Sequence, residues 1–284
     1  VLKRITLLGA CMALTACFGE NKEFLIDNPT GQTLAISIDD QKITIPAKES
    51  QSIKLDAGQH TLTLANGETV KFSVFGAWPR SGNSGIINPT HTRYIYVVQK
   101  YLAKGVQPAG ESSDVHTLSI DGQTVTGPFD DLGSELFIDN AYHYWDLNPT
   151  EPFPASMSST SEQNYKTKIY RIQDFKHYYN NEFSPSADYS QHIRITESRY
   201  QPPEISAHFN SPELQTNLND ATKIYTAFIH AKSAGEQKEL LKEFEKQNRE
   251  KWRNPKTNGG EVTLYYKVMF NLNQIMMSSI LELK

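Results

Sequence analysis

The sequence predicts an α+β fold: an N-terminal antiparallel β-sandwich-like domain followed by an α+β region that ends in helices. Three observations predict it. From Glu23 to about Ile138, apolar and polar residues alternate, with turn residues breaking the rhythm roughly every 8–12 positions. Between Asn148 and Tyr165 the proline and serine density rises. From Ser211 onward the apolar residues recur at the fours and threes of a helix.

Residues 1–16 stand apart. Lys3 and Arg4 form a basic start, and Ile5 to Ala16 is apolar apart from Thr6, Thr15 and Cys11. The run ends Leu14-Thr15-Ala16-Cys17. Basic, apolar and small residues in that order form an export signal, and the stretch falls short of the ~20 residues that span a bilayer. Leu14 to Cys17 resembles the lipobox of bacterial lipoproteins. The resemblance implies transfer of diacylglycerol to the Cys17 thiol, cleavage before Cys17 and acylation of the new amine. Leu8-Gly9-Ala10-Cys11 is a competing site, but its apolar region, Ile5 to Ala10, is shorter than the roughly 7–15 residues such a signal uses. Two or more acyl chains attach a protein stably, since each buried CH₂ contributes about 0.8 kcal/mol. Phe18 after the cysteine, where aspartate would retain such a protein at the inner membrane, implies the outer membrane, with the chain facing the periplasm.

The β domain is expected over 17–147. Leu34, Ile36 and Ile38 alternate with Ala35, Ser37 and Asp39; Ile43 and Ile45, Ile53 and Leu55, Leu62 and Leu64, then Val70, Phe72 and Val74 continue the pattern. Breaks fall at Asn28-Pro29-Thr30-Gly31, Asp39-Asp40, Asp56-Ala57-Gly58 and Asn66-Gly67. Asn66-Gly67 predicts a hairpin with a type I′ turn. Ser37 to Pro46 and Ser119 to Pro128 resemble each other as hairpins with an Asp-led turn, a likeness that shared turn chemistry explains. Asn-Pro-Thr at 28, 88 and 148 reads as three separate turns. Gly76 to Gly85 and Leu102 to Asp114 read as loops, with a long aromatic strand, Arg93 to Tyr101, between them.

Residues 148–165 are the expected linker, and 166–284 the α+β and helical region. Ser211-Pro212-Glu213 starts a helix, with a capping serine and a proline at the first position. Leu214, Leu218, Ala221, Tyr225 and Phe228 form its apolar stripe. A second helix runs from about Glu236 to Trp252, burying Leu240, Leu241 and Phe244. Val262 to Leu283 has the length of a third, although Val262 to Phe270 alone also fits a strand.

Motifs for cofactor chemistry are missing. Zinc-protease, P-loop, dinucleotide and EF-hand patterns and the Gly-x-Ser-x-Gly elbow do not occur, so no cofactor and no metal are expected. Gly82-Asn83-Ser84-Gly85 faintly resembles the nucleophile loop of trypsin-like proteases, but His60 is the one upstream histidine and lies in an alternating strand. The eight histidines include no i,i+4 helical or i,i+2 strand pair. Cleavage before Cys17 leaves one cysteine, which carries the lipid, so neither a disulfide nor thiol catalysis is expected.

Removing Lys3 and Arg4 leaves 26 basic against 32 acidic groups, a net charge of −6 that does not suit nucleic acid. The charge is unevenly placed. No lysine or arginine occurs in the 61 residues between Lys104 and Lys166, whereas ten acids do. Asp130-Asp131 is expected in a turn, and Tyr142-His143-Tyr144-Trp145 lies between Asp139 and Asp146. Asp130, Asp131, Asp139, Tyr142, Tyr144, Trp145 and Asp146 are therefore the candidate surface for a protein partner with a basic face, acids steering it and aromatics anchoring it. The alternative is that the acids face separate patches of solvent while the aromatics fill the core.

These features predict a non-enzymatic envelope lipoprotein, tied to the bilayer through Cys17, that binds a protein. Its form resembles immunity lipoproteins that neutralise periplasm-acting effectors such as type VI secreted phospholipases. An envelope-assembly or transport accessory lipoprotein is the alternative. A hydrolase with a site assembled from distant residues, around His143 or His177, is the third reading.

Overall fold

Alternation becomes strand pairing in a computed structural model that describes residues 21–77, 83–102, 115–141, 143–157, 163–183, 193–194, 207–257 and 259–283. The strands are β1 (Lys22–Asp27), β2 (Leu34–Ile38), β3 (Gln41–Ile45), β4 (Ser50–Leu55), β5 (Gly58–Thr63) and β6 (Thr69–Val74). There follow β7 (Asn83–Ile87), β8 (Tyr94–Leu102), β9 (Val115–Ile120), β10 (Gln123–Gly127), β11 (Phe129–Gly133) and β12 (Phe137–Asp139). Then come β13 (Gln163–Arg171), α1 (Ile172–Asn181), β14 (Ile193–Arg194), α2 (Pro212–Ile229), α3 (Ala234–Gln247), α4 (Glu261–Met276) and β15 (Ile280–Leu283). The chain is α+β, with antiparallel sheets leading and helices near the C-terminus.

Four sheets form, in the orders β12-β7-β1-β4, β15-β6-β5-β2-β3, β11-β8-β13 and β10-β9-β14. In the first, β1, β7 and β12 are covered on both faces. Phe24, Ile26, Ile87 and Phe137 pack with Ile36, Ile38, Phe72 and Val74 of the second sheet. Leu25, Ile86 and Ile138 pack the other way, against Tyr94, Leu132 and Ile169 of the third. Double burial removes the need for a polar side, which is why Phe24-Leu25-Ile26 and Ile86-Ile87 are unbroken apolar runs. Beyond the third sheet, Ile95, Val97 and Tyr170 meet Leu118, Ile120 and Val125 of the fourth, together with Phe175 and Tyr178 of α1.

The turns refine the sequence reading. Asp121 and Gly122 have φ of 50° and 79°, as a type I′ hairpin requires. At Asn66-Gly67 only Gly67 is positive, at 85°. The Gly67 N–H donates to Leu64 O (2.9 Å) and the Leu64 N–H to Glu68 O (2.8 Å), so this is the three-residue loop with a left-handed glycine, not type I′. The first two Asn-Pro-Thr copies are also more than separate turns. β1 and β7 run parallel, with Ile26 opposite Ile87, and each ends in a buried asparagine. Asn28 Nδ2 donates to Ile45 O (3.0 Å) and Pro46 O (2.9 Å), and Asn88 Nδ2 to Thr92 O (2.9 Å) and Glu135 O (3.0 Å). Each therefore pins its turn to a neighbouring segment. The loop expected over Gly76–Gly85 ends early, because Asn83 to Gly85 already belong to β7. Gly85 is required there: a Cβ would lie 2.5 Å from Ile138 O of the adjoining β12.

The stretch expected as a linker is packed against its neighbours where it is described. Phe153 packs beside Tyr170 and Tyr178, and Tyr101 Oη donates to Pro154 O at 2.7 Å. β13 pairs along its whole length with β8. The helices match the sequence better. Ser211 caps α2, and Leu214, Leu218, Ala221, Tyr225 and Phe228 are all buried. Phe75 and Ala77 at the end of β6 join that helical core. Buried Gln237 of α3 fastens it, accepting the Gly76 N–H (2.7 Å) and donating to Val74 O (2.9 Å). The last apolar stretch divides: α4 stops at Met276, and Ile280–Leu283 form β15 on the edge of β6.

Candidate functional site

The acidic span is not an open charged face. Its missing cations arrive from outside it. Asp131, in strand β11 rather than a turn, accepts from Arg93 Nε (3.1 Å) and Nη2 (2.6 Å). That bond, set against partial burial, raises the Arg93 pKa. Asp146 accepts the Thr167 N–H (3.0 Å), Thr167 Oγ1–H (3.0 Å) and Lys166 Nζ–H (3.2 Å). Burial pushes its pKa up, yet those donors outweigh burial and hold it below the usual carboxylate value. Asp121 pairs with Lys176, and Asp130 with Nδ1 of His116.

Asp139 is buried. Its Oδ1 accepts the Ala141 N–H at 2.6 Å, and its Oδ2 takes the N–H groups of Ser279 and, at 3.2 Å, Ile280. It thus ties the entry of β15 to the end of β12. Trp145 is 3 % exposed and packs between the first and third sheets. Asp139 and Trp145 are corrections to the candidate surface, because burial removes both from any partner. Asp131 and Asp146 are spent on internal bonds, so the argument for a basic partner loses its electrostatic basis. Tyr142 and Cys17 lie outside the described residues.

What remains of the candidate surface is aromatic. Tyr144 is 64 % exposed and Tyr165, which the sequence reading passed over, 65 %. Tyr96 links them. Its hydroxyl donates to Tyr144 O (3.1 Å), and it shares with Tyr165 the wall of a cavity of about 270 Å³. Burial pushes the Tyr96 hydroxyl up to about 12, so it stays a neutral donor. Strand pairing explains the wall. Tyr165 lies opposite Lys100 and Thr167 opposite Val98 in the β13–β8 register, so Tyr96, Val98, Lys100 and Tyr165 share one face. Pro128, Phe129 and the His116–Asp130 pair complete the lining.

His116 is the residue that sequence reasoning missed. Its side chain is 3 % exposed, Nδ1 is bonded to Asp130, and buried Nε2 has no hydrogen-bond partner among the described residues. The signal in the sequence was slight: a histidine at the start of an alternating strand. Other candidates are structural. His60 Nδ1 bonds Asp39 (2.8 Å) and Nε2 bonds Asp56 O (2.8 Å). Ser84 is 2 % exposed inside β7, which rules it out as an accessible nucleophile. His177 is exposed on α1 beside Asn181, and His143 packs tilted against Tyr96, with ring centroids 5.6 Å apart. Among the described residues no group of three or more histidine, cysteine or acidic side chains could hold a metal ion. No described helix is long and apolar enough to cross a membrane.

Comparison of the chain with protein-family models, with curated proteins and with solved structures finds no match.

Proposed function

We propose that this chain is a lipid-anchored envelope protein that binds a protein partner through the tyrosine-rimmed cavity on β8 and β13, and that it works by binding rather than by catalysis. One observation carries the reading: Tyr165, about two-thirds exposed, lines the cavity, and Tyr144, equally exposed, is tied to that lining through its backbone O, which accepts from the Tyr96 hydroxyl. Large aromatic side chains held by rigid strands anchor an interface at small entropic cost, and a neighbouring concavity receives the partner's own anchor. The supporting argument for location is the Leu14–Cys17 lipobox, which implies acylation at Cys17 and the periplasmic side of the outer membrane. In its narrower form the partner is an effector that acts in the periplasm, and the protein is its immunity factor.

The test is capture by the full-length chain, extracted in detergent, from a lysate of cells expressing the product of the adjacent gene. Tyr144→Ala with Tyr165→Ala should weaken retention by at least tenfold, about 1.4 kcal/mol. Asp131→Asn should leave it unchanged. Retention that survives loss of both tyrosines would sink the proposed surface.

A further inference from the structure

Asp130 sets the chemistry of the cavity floor. Its carboxylate accepts the hydrogen bond from Nδ1–H of His116, so in the neutral ring the lone pair sits on Nε2. In that neutral tautomer Nε2 is an acceptor, and it is buried with no partner among the described residues. An unsatisfied buried acceptor costs roughly 1–3 kcal/mol, which a ligand donor would recover. Most of the remaining lining is suited to a ring. Tyr96, Val98, Pro128, Phe129 and Tyr165 supply aromatic and apolar surface, with Lys100 beside them. At about 270 Å³ the space lies just below the ~300–1,000 Å³ of ordinary small-molecule pockets and suits one aromatic side chain.

We propose that the cavity over the His116–Asp130 pair is the socket for a single aromatic ring bearing a hydrogen-bond donor, a tyrosine or tryptophan side chain contributed by the protein partner. The ring lies against Tyr96 and Val98, and its O–H or N–H donates to His116 Nε2. An aliphatic or unsubstituted phenyl anchor fills the space but leaves Nε2 unsatisfied, so the socket selects by the donor. This rests on the partner-binding reading for the source of the ring, not for the chemistry of the socket.

The experiment measures binding of p-cresol, toluene and the capped peptide acetyl-Gly-Tyr-Gly-amide to the full-length chain, by calorimetry and by the ring ¹⁵N shifts of His116. From the cost of an unsatisfied acceptor, p-cresol should bind about 5- to 150-fold tighter than toluene. The Nε2 resonance should move as it accepts a hydrogen bond while Nδ1 stays protonated. Asp130→Asn, whose amide can donate to Nδ1 and leave the ring proton on Nε2, should abolish the preference for p-cresol. His116→Phe should do the same, and its thermal transition shows whether it folds; the ¹⁵N shifts need no variant. Equal affinity for toluene and p-cresol, or an unmoved Nε2 resonance, overturns the socket. Binding of p-cresol with exclusion of the peptide overturns the partner side chain as its source and assigns the site to a free phenol. Peptide binding that persists when Tyr144→Ala and Tyr165→Ala abolish capture supports the socket while locating the loss in the rim.

Discussion

Replacing Asp27 with alanine strips the acceptor from four donors at once. The carboxylate is fully buried and receives Arg171 Nε (2.9 Å), Arg171 Nη2 (2.5 Å), Ser50 Oγ (2.6 Å) and the Tyr94 hydroxyl. These groups come from β13, β4 and β8, so one side chain on β1 joins the first sheet to the third. Burial, then the nearby Asp27 charge, holds the Tyr94 hydroxyl well above its ordinary pKa, so it remains a donor. Arg171 is raised despite its burial, because Asp27 bonds it. Removing one partner of such a pair strands the other, at a cost of about 3–5 kcal/mol. For a chain of this size that corresponds to a fall of roughly 6–20 °C in Tm. Urea and thermal unfolding of Asp27→Ala measure it. Asp27→Leu combined with Arg171→Met removes both charges and should recover most of the loss, since replacing a buried pair by apolar groups is often neutral. A cost below about 1 kcal/mol for Asp27→Ala, or a double variant no better than the single one, would refute the account.

Two further outcomes follow from the geometry. Gly85→Ala forces a methyl into the β12 backbone, and should destabilise by about 1–3 kcal/mol in urea titrations while Gly31→Ala, which meets nothing within 4 Å, changes little. Asp146→Asn should lower stability at pH 7. Because the folded pKa of Asp146 is depressed, its contribution is present above the ordinary carboxylate pKa and is lost as pH falls through the folded value. The gap between wild type and variant in urea midpoint should therefore be constant at neutral pH and narrow as the pH falls below the ordinary carboxylate pKa; a gap that does not narrow there contradicts the role given to its ionised form.

The strands were legible where one face is wet. Ile36 and Ile38 or Ile53 and Leu55 alternate with polar neighbours because only one side of β2 and β4 is covered. Helix α2 was legible down to its cap, since Ser211, Pro212 and the stripe from Leu214 to Phe228 are local signals. The end of α4 was not. Ser278 and Ser279 carry no strong stop signal, and what makes Ile280–Leu283 a strand is the open edge of β6 together with Asp139, 140 residues away, holding two of its amides. The packing of the stretch around Phe153 was hidden for a related reason. Proline and serine content reports a lack of regular structure, not a lack of packing, and Phe153 and Pro154 are held by residues distant in sequence.

The sequence by itself determined the α+β class, most strand and helix positions, and the charge gap between Lys104 and Lys166. Those are properties of composition and of short-range period. The tertiary structure alone decided what the charge gap means. Arg93, Lys166 and Lys176 lie at or beyond its borders, yet they fold back onto Asp131, Asp146 and Asp121. It also brought Asp130 to His116, and Tyr165 to the wall that Tyr96 shares. Ion pairs and cavities depend on which strands become neighbours, and burial that would leave a carboxylate unpaired is too costly to occur without a partner. Asp121, Asp131 and Asp146, acids of one stretch in the sequence, are therefore each paired in three dimensions, and the exposed tyrosines Tyr144 and Tyr165 are the surface we propose for a partner.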